Sequence, residues 1–131
     1  MKVLLDTHVL LWWMSGDPRL DQTGRMAIAN TDHTIMVSSA SAWEIATKYR
    51  KGKLPEAKAI LKNYDTILKT LGFSELVITS RHAKHAGLLA IPHNDPFDRI
   101  LMAQAELEGF PIITYDPAFN LKHLDIIPGF H

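Results

Sequence analysis

Asp6, Glu44, Asp98 and Asp116 are the residues in this sequence best placed to do chemistry together. Asp6 ends an apolar run, and Asp116 follows Ile112-Ile113-Thr114 in the same way. Glu44 and Asp98 fall where helical patterns begin. Each has an ordinary explanation alone. Asp6 or Thr7 can cap a helix, Glu44 can answer Ser41 in a capping box, Asp98 can answer Asp95, and Asp116-Pro117 can form a turn. Four acids converging on one site would be different. Clustered carboxylates repel, raise one another's pKa and cost free energy unless a cation joins them. Oxygen-only ligands suit Mg2+ or Mn2+, and neither an HExxH motif nor comparable histidine spacing competes. An ion held this way lowers the pKa of its water and neutralises charge on a phosphate, as phosphodiester hydrolysis requires. Thr7, Ser39 and Thr114 are placed to orient the carboxylates from behind.

The elements that must position these acids alternate. Val3-Leu4-Leu5 reads as a strand, followed by a helix through Leu10, Leu11 and Met14 that the Ser15-Gly16-Asp17-Pro18 cluster stops. A second helix covers about residues 21–30, and Thr34-Ile35-Met36-Val37-Ser38 reads as a buried strand. Ser41 opens a helix towards Arg50, with Glu44 in its first turn. Pro55 starts another, with apolar positions at Ala59, Ile60, Ile67, Leu68 and Leu71, which Gly72 closes. Residues 76–79 read as a strand, 81–89 as a helix capped by Ser80, and Asp95 opens a helix through Glu108. Residues 111–114 and 124–127 are the last strands. Strands alternating with helices predict right-handed parallel crossovers and an α/β sandwich. In such a sheet, strand C-termini and helix N-termini share one edge, and all four acids fall there.

Composition excludes several classes. The 131 residues contain no cysteine, so disulfides, cysteine-held zinc, iron–sulfur clusters and thiol catalysis are absent. No apolar run is long enough to span a membrane, and Asp6 comes too early for a signal peptide, so a cytoplasmic single-domain protein is expected. The 14 basic and 14 acidic side chains cancel, which argues at first against a nucleic-acid partner. The balance conceals a basic stripe. Lys48, Arg50, Lys51, Lys53, Lys58 and Lys62 lie close together with Glu56 as their one acid. Lys48 follows Glu44 by one helical turn, consistent with an ion pair or with a phosphate contact beside the acids. Lys48 and Arg99 are the candidates for direct phosphate binding, and Arg50, Lys51 and Lys53 for steering. His82 and His85 could share a helix face but have no third ligand, and His93 reads as a turn residue, with a substrate contact as the alternative. Trp12 and Trp13 are adjacent and point to different faces, so they are not expected to enter one core.

Four segments carry a resemblance that runs from end to end. Leu4-Leu5-Asp6-Thr7-His8-Val9-Leu10-Leu11-Trp12 is similar to the first motif of PIN-domain nucleases. Ser38-Ser39-Ala40-Ser41-Ala42-Trp43-Glu44-Ile45-Ala46 is similar to the second. Asp95-Pro96-Phe97-Asp98-Arg99-Ile100-Leu101-Met102-Ala103-Gln104-Ala105 resembles the third, and Thr114-Tyr115-Asp116-Pro117-Ala118-Phe119 the last. Each is weak alone, but four in order and spacing are specific. Within that family the chain looks like a VapC toxin of a VapBC type II toxin–antitoxin pair. The resemblance implies a single PIN domain over residues 1–131, a three-layer α/β/α sandwich with a mainly parallel sheet of four to five strands. It implies an endoribonuclease dependent on Mg2+ or Mn2+, with the metal on Asp6, Glu44, Asp98 and Asp116 and with Asp95 as cap or outer-shell acid. It also implies a homodimer and an inhibitory VapB-type antitoxin. A PIN nuclease of RNA processing outside such pairs is the nearest alternative. A receiver-like signalling module is more distant: it would need a second acid beside Asp6 and a Lys after the last strand, where Pro128 stands instead.

Overall fold

The structure, a computed structural model, describes residues 1–128. Its sheet has five parallel strands in the order β3-β2-β1-β4-β5: β1 Lys2–Leu5, β2 Thr34–Ser38, β3 Ser74–Leu76, β4 Ile112–Ile113 and β5 Ile126–Ile127. The central strand pairs on both sides, Leu4 with Met36 on β2 and with Ile112 on β4. Full enclosure explains why Val3, Leu4 and Leu5 form an unbroken apolar run with no solvent face.

Alternation along β1 divides the core. Val3 and Leu5 meet Val9 and Leu10 of α1 (Thr7–Ser15), Ile28 of α2 (Gln22–Ala29), Ile45 of α3 (Ser39–Arg50) and Leu68 of α5 (Tyr64–Leu71). Leu4 faces the other way, with Met36, Ile112, Phe119 and Leu101 and Met102 of α7 (Pro96–Glu108). The α/β/α layering expected from the sequence follows from this two-residue period. Trp12 and Trp13, expected to diverge, both pack half-buried against the first cluster. Trp13 also lines an apolar groove with Met14, Ile60, Ile67 and Leu71.

Several boundaries differ from expectation. The helix after Pro55 is broken into a 3-10 turn at Pro55–Ala57, α4 at Lys58–Lys62, and α5, with Asn63 leaving the helical region between them. Gly72, at a φ of 76°, then closes α5 where a side chain would be strained. The third strand lies at Ser74–Leu76 rather than 76–79, because Thr79 is taken as the cap of α6 (Ser80–Leu88) in a capping box with His82. Ser38, not Ser41, caps α3 by accepting from the Ala40 amide, so Glu44 lies in the second turn. At the end of β4, Tyr115 donates to Asp21 at 2.6 Å, and a Cβ on buried Gly24 would collide with its hydroxyl. That close approach braces the segment carrying Asp116.

Candidate functional site

Four chain segments deliver the acids to one edge of the sheet. Asp6 occupies the N-cap position of α1, yet its side chain caps nothing and instead accepts from the Thr114 hydroxyl at 2.8 Å. Asp116 follows β4, and its amide donates to the same Thr114 oxygen at 3.1 Å. One hydroxyl therefore sets the relation between these two acids. Glu44 is buried in α3, with Oε2 2.6 Å from Lys48 Nζ and Oε1 buried without a partner. Asp98 sits in the first turn of α7, where the Asp95 carboxylate accepts from its amide at 3.0 Å. Its own Oδ2 meets His93 Nε2 at 2.7 Å.

The electrostatics tie the set together. Burial pushes the Asp6 carboxyl above its ordinary range; the Thr114 hydroxyl and His8 oppose this, while Glu44 and Asp116 add to it. Burial likewise pushes Asp98 up to about 6, against the His93 contact and with help from Asp6, Asp95 and Glu44. Among the described residues, no three acidic or histidine side chains are drawn together into a ready-made metal cage. Each carboxylate is turned towards its own neighbour: Thr114, Lys48, His93 or the Ala118 amide. The donor set nevertheless fits a small hard cation. It is oxygen-only, its members repel one another, and the orphaned Glu44 Oε1 is a buried acceptor without a donor.

The remaining candidates separate. The Thr114 hydroxyl donates to Asp6, whereas the other two hydroxyls do not reach an acid. Thr7 pairs with Ser41 at 2.9 Å, and Ser39 accepts from the Ile78 amide at 3.2 Å, fastening α3 to the segment after β3. Arg99 requires the largest correction. Its Nε and both terminal nitrogens donate to the carbonyls of Ala86, Gly87, Leu89, Ile91 and His93, which leaves no N–H for a phosphate. Arg50, Lys51 and Lys53 are exposed at the end of α3 and just beyond it. His82 and His85 face Glu108 and Glu106 on α7 at 3.2 and 3.1 Å, so both are structural.

His93, expected as a turn residue or a substrate contact, instead meets Asp98 across a turn and a helix cap, where no periodicity marks the contact. His8, Arg19, Trp12 and Tyr115 were also not expected. They line a cleft of about 210 Å³ into which Asp6 and Asp116 open.

Comparisons with known proteins place the fold and the family. The family model described as PIN domain matches residues 3–123. Ribonuclease VapC22 of Mycobacterium tuberculosis is 28% identical over 120 residues, covering 87% of this chain and 86% of that one. Among solved structures, VapBC2 from Rickettsia felis bound to a promoter DNA fragment aligns with a TM-score of 0.69 at 15% identity, over 96% of this chain and 97% of that one. DNA-bound VapBC from Salmonella typhimurium gives 0.68 at 18% identity, over 96% of both chains. A family match over nearly the whole chain and a shared fold lead to one conclusion: this chain belongs to the PIN-domain family.

Proposed function

We propose that the chain is a divalent-metal-dependent endoribonuclease and the toxin of a VapBC type II toxin–antitoxin pair. The observation that carries the reading is the delivery of four acids by separate segments to one edge of the sheet, with Asp6 and Glu44 buried and Glu44 Oε1 left without a hydrogen-bond partner. The relative named as a ribonuclease and the neighbours solved as VapBC complexes support the RNA substrate and the VapB-type partner.

In this reading Asp6, Glu44, Asp98 and Asp116 hold Mg2+ or Mn2+, with Asp95 behind Asp98. When bound, such an ion supplies a water of lowered pKa and positive charge at the phosphate. The chain's own residues do the rest. Thr114 fixes Asp6 relative to the Asp116 backbone, and Lys48 compensates the buried Glu44 carboxylate. Arg50, Lys51 and Lys53 draw the phosphodiester backbone towards the edge. The active form is a homodimer acting in the cytoplasm, silenced by the antitoxin.

Incubation of the purified chain with total RNA and Mg2+ or Mn2+, followed by sequencing of the new ends, tests the reading. Defined cuts that vanish with chelator and in Asp6→Asn are expected. Cleavage that survives Asp6→Asn with the fold intact overturns it.

A further inference from the structure

The segment joining α6 to α7 has no regular structure, yet one side chain holds alternate carbonyls along it, at Leu89, Ile91 and His93, together with two at the end of α6. Arg99 Nε donates to Ala86 O at 3.0 Å, one terminal nitrogen to His93 O at 2.8 Å and Ile91 O at 3.5 Å, and the other to Leu89 O at 2.7 Å and Gly87 O at 3.4 Å. The planar guanidinium thus satisfies carbonyls that the end of α6 leaves without helical partners. The consequence reaches the acid edge, because the last residue clamped is His93. Its imidazole meets Asp98 Oδ2 at 2.7 Å, while Asp95 in the same segment holds the Asp98 amide at 3.0 Å.

Stability alone does not account for the imidazole contact. The His93 side chain is 31% exposed, and a histidine–carboxylate pair at that exposure contributes little to folding. Asp98 is 15% exposed and stands among other acids that would turn its carboxylate away. A partner on one oxygen fixes the plane of the carboxylate and leaves the other oxygen available. The geometry points to His93 as a positioning residue: braced through its carbonyl by Arg99, it holds the Asp98 carboxylate in a single orientation for the divalent cation. This inference rests on the metal reading proposed above. Groups hydrogen-bonded behind a metal-binding carboxylate typically govern affinity by about 10- to 100-fold.

Mn2+ affinity of the full chain, measured by calorimetry and by electron paramagnetic resonance at one fixed pH, tests it without any appeal to activity. His93→Ala is expected to weaken Mn2+ binding by about 10-fold. His93→Gln, whose amide N–H can still donate, should recover most of that loss, and His93→Phe should not. Arg99→Lys, which cannot span the same carbonyls, should weaken binding although the guanidinium donates to loop carbonyls and not to Asp98. Combining Arg99→Lys with His93→Ala should add little, since both act through one contact. Folded His93→Ala that binds Mn2+ like the unaltered chain, or losses that simply add, overturns the positioning role. If His93→Ala does not fold, the Gln and Phe variants decide it, equal affinities counting against. Should the unaltered chain take up no Mn2+, the metal reading falls, and this inference with it.

Discussion

Histidine–carboxylate pairs occur at both ends of the α6–α7 packing, and the two ends behave differently. At the far end, His82 and His85 meet Glu108 and Glu106 at 3.2 and 3.1 Å. The Thr79 amide donates to His82 Nδ1, which leaves Nε2 as the nitrogen that donates to Glu108. Those two glutamates are 31% exposed, about twice as much as Asp98. At the near end, His93 meets Asp98 at a shorter 2.7 Å, yet burial and the neighbouring Asp6, Asp95 and Glu44 still push that carboxyl up to about 6. The same two chemical groups therefore staple a helix pair in one place and fail to relieve a clustered charge in the other. A site kept at a cost to stability is the mark of function rather than packing.

Neutralising each end in turn is the strongest way to break this contrast. Asp98→Asn or Asp6→Asn should reduce RNA cleavage by on the order of 10²–10³-fold or more, as removal of a main electrostatic contributor does elsewhere. The same substitutions should raise the urea midpoint, because each removes a buried carboxylate that its surroundings disfavour. Glu106→Gln and Glu108→Gln should do the reverse, leaving cleavage intact and lowering stability by about 0.2–1 kcal/mol. Loss of cleavage in Glu106→Gln comparable to that in Asp98→Asn would erase the distinction.

Lys48 belongs to the near end by position but resembles the far end in its pairing. Its ammonium lies 2.6 Å from a carboxylate whose side chain is only 3% exposed. Lys48→Met should lower stability by about 1–3 kcal/mol, because it strands a buried charge. Adding Glu44→Gln should return most of that, as read from urea midpoints of the two single variants and the pair. A double variant as unstable as Lys48→Met would mean that the lysine stem, not the ion pair, holds the site.

The sequence exposed the scaffold better than the wiring. The run Thr34–Ser38 reads as a strand because a parallel sheet buries both of its faces, and the structure keeps those limits. The cap of α3 was misassigned because Ser38, Ser39 and Ser41 are all plausible caps and Glu44 follows Ser41 at capping-box spacing. What decides among them is tertiary: β2 extends to Ser38, paired with Leu76 on β3, so the helix must begin at once. Arg99 was read as a phosphate ligand because a cation beside an acid has a sequence signature, whereas a string of loop carbonyls has none. The acids were legible since residue type alone limits what they can do; their hydrogen-bond partners were not.

The pH dependence of stability sharpens the contrast further. Asp98 titrates near 6 in the folded chain, against an ordinary value of 3.8. The native state therefore holds a proton that the unfolded chain has lost across this window, so stability should rise as pH falls from about 6 towards 3.8. The slope from one such group is at most about 1.4 kcal/mol per pH unit. Comparing urea midpoints of the unaltered chain with those of Asp98→Asn isolates it: the difference should be largest at neutral pH and shrink on acidification. Cation affinity should move oppositely, weakening as Asp98 takes up its proton. A difference independent of pH would show that Asp98 is not the group responsible.

The smallest effect is expected where basic side chains carry no structural burden. Arg50, Lys51 and Lys53 are exposed, so replacing them with alanine should change stability by less than about 0.5 kcal/mol. If they meet the RNA backbone, each contact removed should reduce the slope of log affinity against log salt by about 0.7, the value for single strands. Arg99 supplies the internal control. Its guanidinium is spent on loop carbonyls, so Arg99→Gln, which removes the charge, should alter cation binding while leaving the salt slope unchanged. Filter binding of RNA to the Asp6→Asn background, across a salt series, reads these slopes without cleavage. A flattened slope in Arg99→Gln, with none in the three exposed variants, would move phosphate recognition from the end of α3 to α7 and the loop before it.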